Sequence, residues 1–214
     1  MIAIFGGTFD PVHLGHLNMA KQCVSAFNLN TLYFMPCALP AHKAAPGINT
    51  QHRVAMLNAA IAPYPFFKLD LRELKRSGPS YSLLSLQELR AAHPTTPILF
   101  LIGMDSFNSL DQWHQWQAIT QLCHIVVYQR PAQQRNVSGE LHAYMQQAQV
   151  DDPSALGHSI AGKLYFLPGE PLDAASSIIR QQLKKTNKKN ELLPDAVSQY
   201  IQQHALYLND DNTH

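Results

Sequence analysis

Two histidines spaced three residues apart follow a pair of glycines near the start of the chain. They are His13 and His16, within residues 6–16, whose sequence is GGTFDPVHLGH. This spacing puts both imidazoles on one face of a helix, so that both can point at the same anion. Adjacent glycines let the backbone turn sharply and let a ligand approach the main chain, and amides at a helix N-terminus bind phosphate. The segment therefore predicts a phosphate site, to which Thr8 adds a hydroxyl and in which Gly15 leaves room for a nucleotide.

Simpler interpretations of these glycines and histidines exist, and a decoy lies further along the chain. A glycine turn beside surface histidines is the alternative for residues 6–16, and the GxGxxG dinucleotide fingerprint is absent. Residues 157–163, GHSIAGK, match the GxxxxGK pattern of ATP-binding loops. That loop needs Ser or Thr next and a following helix, whereas Leu164 follows and residues 164–167 predict a strand. We interpret the GxxxxGK match as a coincidence.

A second group of hydroxyls and a cation occurs in residues 174–180, AASSIIR. Ser176 and Ser177 are suited to cap a helix, and Arg180, three to four residues on, returns to the same face. Hydroxyls, helix amides and a guanidinium together would form a second phosphate pocket. A merely capped amphipathic helix is the alternative interpretation.

Short apolar runs alternate with longer amphipathic ones along the chain, which predicts the elements that must position these groups. Strand–helix alternation with apolar strands is typical of a doubly wound, mostly parallel α/β sheet with helices on both faces. Ligands of such sheets bind beyond the carboxyl ends of the strands. We expect one domain over 1–214, with 176–208 as a C-terminal helical part. The predicted strands are 2–5, 31–35, 66–71, 98–102, 125–128 and 164–167, and the predicted helices are 14–27, 51–62, 81–92, 113–122, 140–147, 176–184 and 195–204.

Composition and charge exclude several classes of protein. The chain has 214 residues, of which 46% are hydrophobic and 14% charged, and its formal net charge is +1. This balance gives no sign of a nucleic-acid-binding surface. No segment approaches the ~20 apolar residues of a membrane span, and the N-terminus lacks signal-peptide features, so we expect a cytoplasmic protein. Three scattered cysteines without a CxxC pair predict neither disulfides nor a zinc site, but buried thiols: Cys23, Cys37 and Cys123.

The two phosphate motifs together resemble the signatures of a known superfamily. GGTFDPVHLGH resembles the signature of the HxGH nucleotidyltransferases, in which both histidines hold the phosphates of ATP, and this implies catalytic roles for His13 and His16. Residues 174–180 resemble the second signature, ISSTxIR, with Ala175 where the family usually has Ser. The resemblance implies a Rossmann-like nucleotidyltransferase fold and Mg²⁺ bound with ATP. The ATP-binding candidates are Gly6, Gly7, Thr8, Phe9, Lys43, Gly103, Asp105, Ser176, Ser177 and Arg180.

The rest of the chain is similar to bacterial nicotinate-nucleotide adenylyltransferases over nearly its whole length. The order and spacing of several modest motifs carry this similarity. It implies adenylyl transfer from ATP to nicotinate mononucleotide, giving deamido-NAD and pyrophosphate in NAD biosynthesis. The motifs are PCALPAHK at 36–43, PSYS at 79–82, IGMDS at 102–106, QWH at 112–114, RP at 130–131, and LLPDAV with YI at 192–201.

The acceptor of such a reaction carries an aromatic ring, a carboxylate and a phosphate. Trp113 offers a flat face on which a pyridine ring can stack, although a core tryptophan is the alternative. Asp105 follows an apolar strand, where it can accept hydrogen bonds from a ribose or cap the next helix. The resemblance implies that backbone amides near Ser82 and His114 hold the carboxylate. The mononucleotide-binding candidates are His42, Ser82, Trp113, His114 and Arg130, of which His42 and Arg130 would bind the phosphate.

Two rival functions remain open at this point. One is the same chemistry on another acceptor, such as pantetheine phosphate, FMN or nicotinamide mononucleotide. The other is a nucleotide-binding regulator without catalysis, which intact His13, His16 and Arg180 disfavour. The sequence also leaves open a homo-oligomer and the role of the polar stretch 132–162.

Overall fold

Six parallel strands form a single sheet at the centre of the molecule. The computed structural model describes residues 1–38, 47–129, 134–137, 139–170, 172, 174–185 and 190–208. The sheet has the order β3-β2-β1-β4-β5-β6, and every neighbouring pair is parallel. This is a doubly wound order, whose direction of winding reverses between β1 and β4. The strands are β1 Ile2–Gly7, β2 Leu32–Pro36, β3 Phe67–Leu69, β4 Ile98–Gly103, β5 His124–Gln129 and β6 Leu164–Pro168.

Helices cover both faces of the sheet, as the strand–helix alternation predicts. Successive strand side chains point to opposite faces, so Phe5 and Leu101 enter one apolar core, while Ile4 and Phe100 enter the other. Residues of α1, α2, α7 and α8 complete the first core, and residues of α3, α5 and α6 complete the second. The helices are α1 Leu14–Ala26, α2 Thr50–Ile61, α3 Ser82–Ala92, α4 Met104–Phe107, α5 Trp116–Leu122, α6 Gly139–Ala148, α7 Ser176–Lys185 and α8 Asp195–Gln203.

The boundaries differ most from prediction where turns interrupt the pattern. The strand predicted over 66–71 ends at Leu69, because Asp70 accepts a hydrogen bond from the Arg72 amide at 3.0 Å and starts a 3₁₀ turn at Arg72–Lys75. The helix predicted over 113–122 begins only at Trp116. Short helical turns, α4 and a 3₁₀ turn at Leu110–Gln112, fill the chain before it.

The GxxxxGK segment leads into strand β6 and not into a helix. Gly162 has a φ of 92°, and the Lys163 amide donates to Nδ1 of His124 at 3.1 Å. The chain then continues as β6, so the segment is a turn into a strand, as the sequence indicated.

The last two helices pack against the same core as the sheet. Ile179 and Leu183 of α7 and Val197 and Ile201 of α8 are buried together with Phe5 in the first core. The Leu192 carbonyl also accepts a hydrogen bond from the Leu14 amide at 2.9 Å. The C-terminal part therefore supports the start of α1. In the described ranges, no helix combines the length and apolar character that crossing a membrane requires.

Candidate functional site

A cavity of about 330 Å³ opens at the carboxyl ends of β1, β2 and β4. It lies at the switch point between β1 and β4, where doubly wound sheets bind their ligands. Residues predicted for both nucleotides line this one cavity, namely Gly6, Gly7, Thr8, Asp105, Ser82, Trp113 and His114. The fold thus brings together groups that lie more than 100 positions apart in the sequence.

The rings of His13 and His16 stack at the start of α1, and each ring hydrogen-bonds to the backbone of the other residue. His13 is the N-cap, and its Nδ1 accepts the His16 amide at 3.3 Å, while Nδ1 of His16 accepts the His13 amide at 3.3 Å. The two rings stack with centroids 3.7 Å apart. A neutral imidazole that accepts through Nδ1 carries its proton on Nε2. We therefore assign an Nε2–H donor to each ring, which is the group needed to hold a phosphoryl oxygen.

The N-terminal amides of α1 are partly committed to the protein itself. The Leu14 amide donates to the Leu192 carbonyl, and the His16 amide donates to His13. The sequence predicted that this helix terminus would itself bind phosphate. With two of its amides already bonded within the protein, this terminus offers fewer amides to a phosphate than the sequence suggested.

The glycine pair provides space and not the sharp turn that the sequence suggested. Gly6 and Gly7 are the last residues of β1, and neither is among the residues with positive φ. The chain turns instead at Phe9, whose φ is 50°. A Cβ on Gly7 would lie 2.9 Å from Cζ of Phe9. The Phe9 ring is buried, and its centroid lies 5.1 Å from that of the His16 ring. The Phe9 side chain therefore packs against the histidine and is not part of the cavity wall.

Gly15 makes room for a histidine ring rather than for a nucleotide. A Cβ on Gly15 would lie 2.9 Å from Nδ1 of His13 and 3.1 Å from Cβ of Ala174. The end of the first phosphate motif and the start of the second are therefore packed against each other at this glycine. Any side chain here must displace the His13 ring or separate α1 from the segment that leads into α7.

We expect Gly15→Ala to lower turnover by roughly 10- to 100-fold, because a shift of about 1 Å in an aligned group can cost that much. Steady-state kcat at saturating substrates is the measurement. Gly139→Ala is the matched control, since a Cβ on that helical glycine meets nothing within 4 Å among the described residues. Equal kcat for both variants would show that the His13 ring tolerates displacement.

The second motif contacts the first through its serine and its arginine. Ser176 Oγ donates to the Pro11 carbonyl at 3.1 Å, and Arg180 donates to the Asp10 carbonyl at 2.6 Å. The predicted capping role of the serines is wrong, because α7 begins at Ser176 and both serines lie in its first turn. Ser177 is exposed beside them. The residues predicted to form the second phosphate-binding pocket therefore lie beside the segment that carries the two histidines.

Asp10 lies at the centre of this junction and was given no role from the sequence. Its buried carboxylate accepts the Tyr207 hydroxyl at 2.6 Å and the Gly47 amide at 2.9 Å, and lies 3.8 Å from Arg180. Burial, and next the negative charge of Asp10, raise the pKa of Tyr207. Asp10 and Tyr207 lie 197 positions apart, so no local pattern reveals their contact.

The other end of the cavity has the aromatic and polar groups predicted for the acceptor. Trp113 is half-buried, with its ring centroid 6.2 Å from that of Phe100, whereas the core tryptophan is Trp116. The His114 ring lies 4.6 Å from that of Tyr81. Ser82 is the first residue of α3, so a helix N-terminus with its positive dipole end adjoins the cavity.

Asp105 is exposed on the cavity wall within the short helix α4. The alternative in which it caps this helix is wrong, because the N-cap is Gly103. Gly103 itself ends β4. The Asp105 carboxylate is therefore available to hydroxyl groups of a ligand.

Sequence reasoning gave no role to several polar residues of the cavity wall, among them Cys37, Glu73 and Ser80. Burial raises the pKa of the Glu73 carboxyl, and hydrogen bonds from Ser85 and Ser80 act in the opposite direction. Ser80 Oγ also accepts the Ala38 amide at 3.0 Å. Ser80 belongs to the PSYS motif, which was the available signal, whereas Glu73 lies in a 3₁₀ turn that has no motif.

Three predicted residues, His42, Lys43 and Arg130, lie outside the described residues. Within the described residues, no three histidine, cysteine, aspartate or glutamate side chains are grouped so as to hold a metal ion. Among the described residues, the imidazoles of His13 and His16 and the guanidinium of Arg180 belong to the two phosphate motifs themselves.

The doubly wound sheet, the paired histidines after β1 and the adjoining arginine define a nucleotidyltransferase. Residues 4–182 match the cytidylyltransferase-like family. The chain is 40% identical over 208 residues to a Methylococcus capsulatus protein, covering 97% of this chain and 99% of that protein. A Pseudoalteromonas atlantica protein is 38% identical over 206 residues, covering 96% and 94%. Both bear the name "Probable nicotinate-nucleotide adenylyltransferase". The chain belongs to this adenylyltransferase family.

Solved structures share the fold. The Plasmodium falciparum nicotinic acid mononucleotide adenylyltransferase complexed with NaAD superposes with a TM-score of 0.72 at 20% identity, over 96% of each chain. The same enzyme complexed with APC gives a TM-score of 0.71 at 18% identity, again over 96% of each chain. The predicted nucleotidyltransferase fold is thus confirmed.

Proposed function

We infer that the chain transfers the adenylyl group of ATP to nicotinate mononucleotide, giving deamido-NAD and pyrophosphate, a step of NAD biosynthesis. One observation carries this function: a single cavity extends from residues 6–8 at the end of β1 to Ser82 and Trp113. A site that joins two nucleotides needs such continuity, because their reacting phosphates must meet. The names of relatives that are 38% and 40% identical over almost the whole chain support nicotinate mononucleotide as the acceptor.

The reaction needs alignment more than it needs a general base. An oxygen of the mononucleotide phosphate, already ionised near neutral pH, attacks the α-phosphorus of ATP. A new P–O bond forms, the bond to the β-phosphate oxygen breaks, and pyrophosphate leaves with its electron pair. Holding both phosphates in line can remove roughly 7–11 kcal/mol of the barrier. Oriented donors add to this by stabilising charge that grows on the phosphoryl oxygens.

The described residues suggest how these tasks are divided. We propose that the Nε2–H groups of His13 and His16 hold phosphoryl oxygens, and that Arg180 neutralises the triphosphate. The Arg180 side chain is 35% exposed, which leaves room for its guanidinium to contact an anion while one nitrogen stays on Asp10. Trp113 would stack on the pyridine ring, and the N-terminus of α3 would hold its carboxylate.

Three expectations stay predictions. We propose that Mg²⁺ enters bound to ATP, since triphosphate oxygens and water can supply its ligands without a protein cage; when bound it would neutralise phosphate charge. The cytoplasmic location is a further prediction from the sequence, and the third expectation, a homo-oligomer, is one that the sequence allows but does not require.

A substrate panel tests the acceptor. The protein is mixed with ATP and, in turn, nicotinate mononucleotide, nicotinamide mononucleotide, pantetheine phosphate and FMN, and pyrophosphate release is measured. We expect nicotinate mononucleotide to give a kcat/KM at least ~10-fold above the others, because a site built for one polar group rejects an analogue that leaves it unpaired. A clear preference for another acceptor would reassign the substrate, and no turnover with any would favour the regulator. The same mixtures without the protein supply the background rate.

A further inference from the structure

A fully buried arginine lies directly behind the end of strand β1. Arg53 of α2 is 0% exposed. Its guanidinium donates to the Thr8 carbonyl at 2.7 Å and to the Cys37 carbonyl at 2.8 Å, and to Thr50 Oγ1 at 2.9 Å. Thr8 and Cys37 both line the substrate cavity. Arg53 therefore holds the outer side of the wall whose inner side faces the ligands.

These bonds continue the sheet beyond its last backbone rung. Strands β1 and β2 pair as far as Gly7 and Pro36, and the Cys37 amide still donates to the Gly7 carbonyl at 3.0 Å. At the next position the two chains have no direct rung. The Arg53 guanidinium bridges them there and so fixes the distance between the two strand ends.

The charge of Arg53 is unusual in its surroundings. Its contacts given above are neutral oxygens, and no carboxylate of the described residues forms an ion pair with it. Burying a cation is costly unless hydrogen bonds or an anion offset the loss of water. The expected anions are the substrate phosphates on the far side of Thr8. The planar guanidinium of Arg53 can also donate to the two separate carbonyls of Thr8 and Cys37 at once, with a fixed geometry that the ammonium group of a lysine lacks.

We propose that Arg53 is a positioning residue for the transfer reaction. It sets the separation of Thr8 and Cys37, and hence the alignment of the two phosphates in the cavity, without touching either substrate. This inference rests on the proposed adenylyl transfer. A purely structural staple is the competing explanation, and it would change stability without a selective change in turnover.

The chain offers a matched control in Arg90. Its guanidinium also binds backbone carbonyls, those of Leu122 at 2.8 Å and Thr96 at 2.8 Å. Thr96 precedes β4 and Leu122 precedes β5, so Arg90 lies at the amino ends of the strands, away from the cavity. Removing Arg90 breaks comparable bonds without touching the site.

The experiment compares Arg53→Met, Arg53→Lys and Arg90→Met with the parent chain, by urea midpoint and by kcat and KM for both substrates. In folded protein we expect Arg53→Met to lose at least ~10-fold in kcat, Arg53→Lys to recover part of it, and Arg90→Met to keep kcat within about 2-fold. An Arg53→Met kcat loss no larger than that of Arg90→Met overturns the proposal. If Arg53→Met does not fold, an Arg53→Lys kcat equal to the parent overturns it. The parent's own activity, with whichever acceptor it uses, reports separately on the proposed function.

Discussion

Replacing His16 with alanine is expected to lower turnover by at least ~10²-fold, the range seen when one oriented transition-state donor is lost. The variant loses the Nε2–H group that we assign to a phosphoryl oxygen. It also loses Nδ1, which accepts the His13 amide at 3.3 Å and so helps to orient the second imidazole. Pyrophosphate release at saturating ATP and mononucleotide measures kcat.

Two further substitutions at His16 separate these effects. In His16→Asn the side-chain carbonyl oxygen can still accept the hydrogen bond from the His13 backbone amide, as Nδ1 does in the parent. The shorter asparagine side chain does not extend to the position of Nε2. In His16→Gln the amide reaches the Nε2 position and can donate there. We expect the Asn variant to be as stable as the parent and nearly as slow as the Ala variant, and the Gln variant to recover part of kcat. A near-normal kcat in His16→Ala would remove His16 from the chemistry.

The spacing of His13 and His16 was enough to place both rings on one helix face, because side chains three residues apart are neighbours there. It did not reveal that each ring accepts the backbone amide of the other. That arrangement requires His13 to be the N-cap, with extended backbone, and an N-cap histidine is outside the usual set of capping residues. The Nε2 proton is therefore inferred from these two hydrogen bonds and not from the sequence.

Apolar runs predicted the strands well for a physical reason. Central strands of a parallel sheet are buried on both faces, so they are apolar throughout, as in residues 98–102. The error over 113–115 has an equally local cause: Gln115 has a φ of 50°, and this left-handed residue delays α5 until Trp116. A left-handed glutamine is uncommon, and the apolar periodicity carries no sign of it.

Arg53 shows the limit of the sequence-based interpretation. An arginine within a helix is nearly always solvated unless it is paired, so pattern alone places it on the surface. Its burial depends on two carbonyls, from Thr8 and Cys37, that converge only after β1 and β2 have paired. The predicted reasons for the glycines were also wrong. Gly7 was predicted to supply backbone freedom and Gly15 to leave room for a nucleotide, whereas Phe9 and His13 occupy the space that a side chain would need at these two positions.

Replacing Asp10 with alanine is expected to reduce the free energy of unfolding by about 2–3 kcal/mol, because a buried polar group left without its partner, here the Tyr207 hydroxyl, costs roughly 1–3 kcal/mol. The Tyr207 hydroxyl and the Gly47 amide both lose the acceptor they now have. Urea unfolding with a constant m-value is the measurement. A loss below about 1 kcal/mol would mean that water or other protein groups replace the carboxylate.

Tyr207→Phe is the matched variant, since it removes one hydroxyl and leaves Asp10 bonded to Gly47. Its expected loss is smaller, about 1–2 kcal/mol.

The effect of Asp10→Ala on catalysis differs from its effect on stability. Arg180 contacts Asp10 through both the carbonyl at 2.6 Å and the carboxylate at 3.8 Å. In Asp10→Ala the carbonyl contact survives, so Arg180 stays near the site but loses an orienting charge. We therefore expect KM for ATP to rise more than KM for the mononucleotide. Equal rises would argue that Asp10 supports the whole cavity and does not act through Arg180.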